Sequence, residues 1–180
     1  FMARAGELGA DQALTFLREV DAINMRRREK TVELARETLG GSLIGRNVTV
    51  LGAAFKPNSD DVRDSPALSV AGSLSLSGAN VTVYDPQGME NAAKIFPTLT
   101  YAPNVEEALD GAEIVIVATE WKQFQELDPV AARKLVAGDN PTVLDGRNCL
   151  PREAWEAAGW NFLALGLSLI HISEPTRQAE

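Results

Sequence analysis

Cysteine, histidine and aromatic residues are all scarce in this chain of 180 residues, which holds one cysteine, one histidine and 6% Phe, Trp and Tyr. A single cysteine, Cys149, leaves no internal disulfide and fits a reducing compartment. The lone histidine, His171, lies in the final stretch LSLIHISEPTRQAE (167–180). That stretch breaks composition with what precedes it and resembles a translated sequencing adapter, so His171 is set aside as a general base or metal ligand. One cysteine with scattered carboxylates then lacks ligand spacing, and no metal is expected. Long apolar runs are missing too: nothing approaches the roughly 20 residues that span a bilayer, and no charged-then-apolar leader opens the chain. A soluble, cytoplasmic protein with no membrane partner is the expectation. Positive charge is in deficit, 17 Lys plus Arg against 25 Asp plus Glu for a net charge of −8. That balance argues against a non-specific binder of nucleic acid or anionic membrane, so any anion binding must come from local sites.

What is present is ordinary globular composition, 45% apolar and 23% charged, which excludes disordered, collagen-like and disulfide-scaffold classes. The opening FMARAGELG starts inside a helical pattern without a start signal, and the chain is expected to begin mid-protein. From 10 to 39 there is no proline, and Ala13, Phe16, Leu17, Val20 and Ile23 follow the i, i+3, i+4, i+7 rule, predicting one long amphipathic helix or two in line. Arg26, Arg27, Arg28 and Lys30 form a charge run within it, read as a solvated or ion-paired face ahead of a ligand-binding one. Gly40, Gly41 and Gly45 then punctuate the chain, and the hydrophobic period turns strand-like. Boundaries are therefore placed to give segments 1–44, 45–166 and the tail 167–180.

Short β-rich runs alternate with helical ones after that point: NVTVLGAAF (47–55), ANVTVYD (79–85), AEIVIVATE (112–120), PTVLDG (141–146) and NFLALG (161–166). Ser65 with Pro66 can start a helix that Gly78 closes, Asp128 with Pro129 repeats the signal, and Pro151 opens a short final helix. Strands separated by helices predict an α/β fold, a Rossmann-like open parallel sheet flanked by helices and preceded by the long helix.

In such sheets ligands lie beyond the carboxyl ends of the strands. The loop after the first run, AAFKPNSDDVRDSP (53–66), carries Lys56, Arg63 and several aspartates and is too long and polar for a mere connection. Tyr84-Asp85-Pro86, Thr119-Glu120-Trp121-Lys122 and Asp145-Gly146-Arg147-Asn148 follow other runs and gather on the same edge. Lys56 and Arg147, with free N–H groups at a helix start, make a phosphate cradle; the alternative is surface ion pairing with Asp60, Asp61 or Asp145. LGAAFK lacks the G-x-G-x-x-G pattern, so NAD is not expected at this turn in the usual mode. Asp85 is either a ribose-binding acid or a turn residue. Tyr84 and Trp121 either stack on a base or pack the sheet edge. Cys149 has no neighbouring histidine and reads as structural.

Taken together these loops resemble a known family. LGAAFKPNSDDVRDSPAL (51–68), VTVYDP (81–86), VIVATEW (115–121) and LDGRN (144–148) are similar, in order, to the C-terminal domain of the nucleotide-sugar dehydrogenases. GADQALTFLREVDAIN (9–24) is similar to the central helical domain of the same enzymes. The family also acts on GDP-mannose and UDP-N-acetyl-hexosamines, but the A-F-K-P-N-S-D-D and T-E-W forms look most like its UDP-glucose branch. The resemblance implies NAD-dependent, two-step oxidation of a sugar 6-hydroxyl to a carboxylate through an aldehyde and a cysteine-bound thioester. It makes 1–44 the end of the central helical, dimer-forming domain and 45–166 the UDP-sugar-binding domain. By motif position, Phe55, Lys56 and Arg147 would contact UDP-glucose, while Arg63 would reach NAD bound mainly on an N-terminal domain. The helix 10–39 would form a homodimer interface. Lys suits an oxyanion as a compact point charge, and Arg offers a planar fork to phosphate oxygens.

This sequence departs from the family pattern at one place. The catalytic cysteine of those enzymes lies in a Gly-rich Cys-Phe-Pro-Lys-Asp type segment upstream of where Phe1 begins, and Cys149 does not match it. No catalytic residue is expected in these 180 residues, which alone should transfer no hydride. A free-standing nucleotide-binding module is the competing class.

Overall fold

The computed structural model describes residues 11–165. The opening segment and the tail with His171 lie outside the described residues. The chain begins with α1 (Asp11–Thr38), then β1 (Asn47–Leu51), α2 (Pro66–Leu76), β2 (Asn80–Tyr84), α3 (Met89–Ile95), β3 (Thr100–Tyr101), α4 (Val105–Leu109) and β4 (Ile114–Val117). It continues with α5 (Lys122–Gln125), α6 (Pro129–Arg133), β5 (Thr142–Asp145), α7 (Arg152–Ala157) and β6 (Asn161–Ala164).

The six strands form one parallel sheet in the order β3-β2-β1-β4-β5-β6, the Rossmann-like arrangement expected. Val48 pairs with Val81 on one side and Ile114 on the other, and Ile114 continues to Thr142. Every residue of β4, Ile-Val-Ile-Val, is buried, because a central strand is covered on both faces. Alternation along the strands divides the core. Val115, Val117 and Val143 meet Phe124 and Trp155 on one face. Val48, Val50, Ile114, Ile116 and Leu144 meet Leu68, Leu74, Ala35 and Leu39 on the other. The last turns of α1 thus belong to the sheet's own core.

Helix starts follow local chemistry. The Ser65 hydroxyl accepts the Leu68 amide at 3.3 Å with Pro66 next to it, and Asp128 accepts the Val130 amide at 2.9 Å ahead of Pro129. The expected β runs prove shorter than read. β1 stops at Leu51 because Gly52 takes φ +114° and crosses within reach of the neighbouring strand end: a Cβ there would lie 2.8 Å from the Thr119 amide nitrogen. The short β3 and the helices α3 and α4 were not anticipated, although Asn104 and Glu107 form a reciprocal cap at 2.8 Å each way.

The long helix is a single element, and one face changes character along it. Thr31, Ala35 and Leu39 are buried against the sheet layer, whereas Phe16, Val20 and Ile23 stand exposed, Phe16 at 69%. No helix among the described residues is long and apolar enough to cross a membrane.

Candidate functional site

The carboxyl edge of the sheet is organised by two fully buried aspartates. Asp85 follows β2 and accepts the amides of Ala53 (2.7 Å), Ala54 (2.9 Å), Gln87 (2.9 Å) and Gly88 (2.7 Å), and the Trp121 indole N–H at 3.1 Å. Its lone pairs are committed, so the turn reading holds and the ribose reading falls. Tyr84 and Trp121 are buried; the Tyr84 hydroxyl donates to Gln123 at 3.1 Å and its ring meets Phe124 edge-on. They pack the sheet edge and are not available to stack on a base. The same bonds test the β1 turn as a dinucleotide site. With the Ala53 and Ala54 amides bound to Asp85, the turn has no free nest for a pyrophosphate, and these residues do not fit NAD there.

Asp145, the last residue of β5, accepts the amides of Arg147 (3.0 Å), Cys149 (2.8 Å) and Leu150 (2.8 Å). Gly146 lets this loop pass the β4 end, since a Cβ would sit 2.9 Å from the Val117 carbonyl oxygen. Asn148 turns the chain at φ 53°. The result is a fixed loop that holds Arg147 outward. Its Nε pairs with Glu120 of the T-E-W motif, which draws the Glu120 carboxyl below and the Arg147 guanidinium above their ordinary values. The two Nη nitrogens make no bond among the described residues, leaving the fork open. Cys149 is half-buried, and burial together with the nearby Asp145 pushes its thiol up to about 12, far from a nucleophile's range.

Between these loops and α1 lies a cleft of about 800 Å³ whose lining includes Phe55, Lys56, Glu120, Arg147, Arg27 and Arg28. Phe55 and Lys56, exposed on the loop after β1, therefore share one cavity with Arg147, as the sequence placed them. Among the described residues Lys56 has no carboxylate within ion-pair distance, although its charge helps to hold Asp61 ionised, and Arg147 pairs with Glu120, so neither takes Asp60, Asp61 or Asp145 as an ion-pair partner. Arg63 stands apart: its guanidinium clamps Asp61 at 2.9 and 2.8 Å, away from the cleft, and holds the Asp61 carboxyl down at about 2. The sequence reading missed Glu120 as a partner. It also assigned the α1 arginines to a solvated face, although Asn24, Arg27, Arg28 and Thr31 all line the cleft. Their spacing could have shown one shared face. Among the described residues, no group of three His, Cys, Asp or Glu is placed to hold a metal.

Residues 49–152 match the UDP binding domain of the UDP-glucose/GDP-mannose dehydrogenase family. The chain belongs to that family. The UDP-glucose 6-dehydrogenase of Rhizobium meliloti is 36% identical over 145 residues, 81% of this chain and 33% of the relative. That of Rickettsia felis is 36% identical over 155 residues, 85% of this chain and 34% of the relative. Among solved family structures, a UDP-glucose dehydrogenase from Pyrobaculum islandicum superposes with TM-score 0.71 at 34% identity, covering 89% of this chain and 35% of that one. An NDP-N-acetyl-D-galactosaminuronic acid dehydrogenase from Methanosarcina mazei gives TM-score 0.71 at 27% identity, covering 85% and 31%. The chain spans about a third of the length of the family members it matches.

Proposed function

We propose that this chain is the UDP-sugar-binding portion of an NAD-dependent UDP-glucose 6-dehydrogenase that oxidises UDP-glucose to UDP-glucuronate. The observation that carries the reading is the meeting of Lys56 and the open fork of Arg147 in one cleft at the strand ends. Lys56 and Arg147 hold the diphosphate, and Phe55 flanks the ligand. Charge-assisted bonds of this kind are the strong ones, and a guanidinium fork matches two phosphate oxygens at once. Arg63, with its side chain 86% exposed, faces outward to meet NAD held by a domain that precedes these residues. On this reading residues 1–44 close the central helical domain and 45–166 form the UDP-sugar domain. The exposed Phe16, Val20 and Ile23 on α1 seat a second copy in a homodimer.

These residues bind but do not transfer hydride: the Cys149 thiol is held protonated by its surroundings, and the β1 turn has no free amides for a dinucleotide. A second sugar stays in view because the Methanosarcina enzyme superposes equally well.

Amide-shift NMR of the 180-residue chain with UDP-glucose, UDP-N-acetylgalactosamine, UDP and NAD⁺ tests the reading. Saturable shifts with the UDP compounds are expected at 53–56 and 145–149, with none from NAD⁺. Lys56→Ala and Arg147→Ala should each weaken UDP by about tenfold or more, the worth of a charge-assisted hydrogen bond. A folded chain that ignores every UDP compound would remove the assignment, and NADH formation from UDP-glucose by this chain would remove the claim of inactivity.

A further inference from the structure

The arginine run of α1 is unused by the site proposed above, and it lies outside the residues 49–152 that match the UDP binding domain. Asn24, Arg27, Arg28 and Thr31 line the cleft, and their i, i+3, i+4, i+7 spacing puts them on one helical face. One turn further on, the same face is buried through Thr31, Ala35 and Leu39, so the arginines are held against the sheet layer and over the cleft.

Arg28 is half-buried, and its Nε is shielded from solvent with no hydrogen-bond partner among the described residues. Buried donors are nearly always satisfied, and leaving one unmade is costly, so such an atom asks for an acceptor. The other unsatisfied buried side-chain atom among the described residues, Trp155 Nε1, sits in the core beside Trp160, whereas Arg28 borders the cleft on one side and a smaller cavity with Glu29 and Glu33 on the other. Neither Arg27 nor Arg28 has a carboxylate within ion-pair distance among the described residues; the nearby Lys30 takes Glu33 at 3.1 Å. Four cations, Arg27, Arg28, Lys56 and Arg147, therefore face a single carboxylate, Glu120, along one cavity of a chain whose net charge is −8. Like charges gathered against the overall balance focus the field on a small multivalent anion.

We propose that Arg28, with Arg27 beside it, takes an oxygen of the same diphosphate that Lys56 and Arg147 hold, so that the ligand bridges α1 and the strand-end loops. The identity of the nucleotide rests on the proposed function; the diphosphate contact rests on the cleft alone. The two sets of cations are independent in origin, since Lys56 and Arg147 ride on loops after β1 and β5 and the arginines on a helix packed across them.

Calorimetric titration of the 180-residue chain with UDP and with inorganic pyrophosphate, for the parent and for Arg28→Gln, Arg28→Lys and Arg27→Gln, decides the matter. Arg28→Gln should weaken both ligands by about tenfold with its melting temperature unchanged, and Arg28→Lys should recover part of the loss. Arg27→Gln, at an exposed position, should weaken both by a smaller factor and serves as the test if Arg28→Gln fails to fold. UDP and pyrophosphate affinities within twofold of the parent in the folded Gln variants overturn the proposal. Pyrophosphate bound as tightly as UDP, and weakened by Arg28→Gln, removes the uridine reading while the arginine contact stands. A chain that binds neither ligand removes both.

Discussion

Asp85 and Asp145 sit at matching places on the sheet, each fully buried at the carboxyl end of a strand and each spending its oxygens on backbone amides, yet the two do opposite things. Asp85 reaches across elements, tying the β1 turn, its own turn and the Trp121 indole into one knot. Asp145 bonds the amides of its own following loop, at Arg147, Cys149 and Leu150. The first arrangement closes the β1–β2 half of the edge and uses up the amides that a phosphate would need. The second leaves the β4–β5 half open and stiffens the loop that carries Arg147. Where a strand-end carboxylate directs its acceptors therefore separates an edge whose turn amides are used up from one whose loop holds an arginine outward, although the residue type is the same.

The comparison can be broken most forcefully at Asp85. Asp85→Asn replaces an acceptor with a donor facing four backbone amides and an indole, and should cost about 3 kcal/mol of stability, read as a lowered urea midpoint with unchanged slope. Asp145→Asn disturbs one loop only and should cost about 2 kcal/mol. Unlike Asp85→Asn at equal folded fraction, it should also weaken UDP through the loosened Arg147. Equal losses of stability and equal UDP affinity in the two variants would erase the distinction. The smallest effect comes from Cys149 beside Asp145. Its pKa is raised in the folded chain from the ordinary 9.0, so the stability tied to the protonated thiol is fully present below that value and lost as pH rises above it. Between pH 8 and 10 the chain should lose about 1 kcal/mol that Cys149→Ser does not lose, after allowing for the half-exposed thiol, measured by denaturation at each pH.

Much of this edge could be read from residue order. The switch from helical to strand-like period at Gly45, the Ser65-Pro66 and Asp128-Pro129 starts and the apolar Ile114–Val117 run each fix an element through local chemistry, and each is where it was expected. Lys56 and Arg147 could be brought together on topology alone, because parallel strands deliver their following loops to one edge. What could not be read depends on tertiary direction. Asp85 as ribose acid or turn residue, and Trp121 as stacking surface or packed wall, differ only in where a side chain points, and no spacing encodes that. The α1 arginines fail for a related reason: a charged helical stripe looks the same in sequence whether it faces water or a cavity. Glu120 went unassigned because its partner, Arg147, lies 27 positions away on another loop.

The contact between Glu120 and Arg147 has a further effect. A free arginine side chain carries about 2 kcal/mol of rotamer entropy, much of which is lost when the guanidinium is fixed on a ligand. Because Glu120 holds Nε, part of that freedom is surrendered during folding, and on the proposed function an arriving phosphate would meet a fork whose orientation is already narrowed. The carboxylate would thus oppose the charge of that phosphate while lowering its ordering cost, so that Arg147 would select by geometry more than by raw attraction.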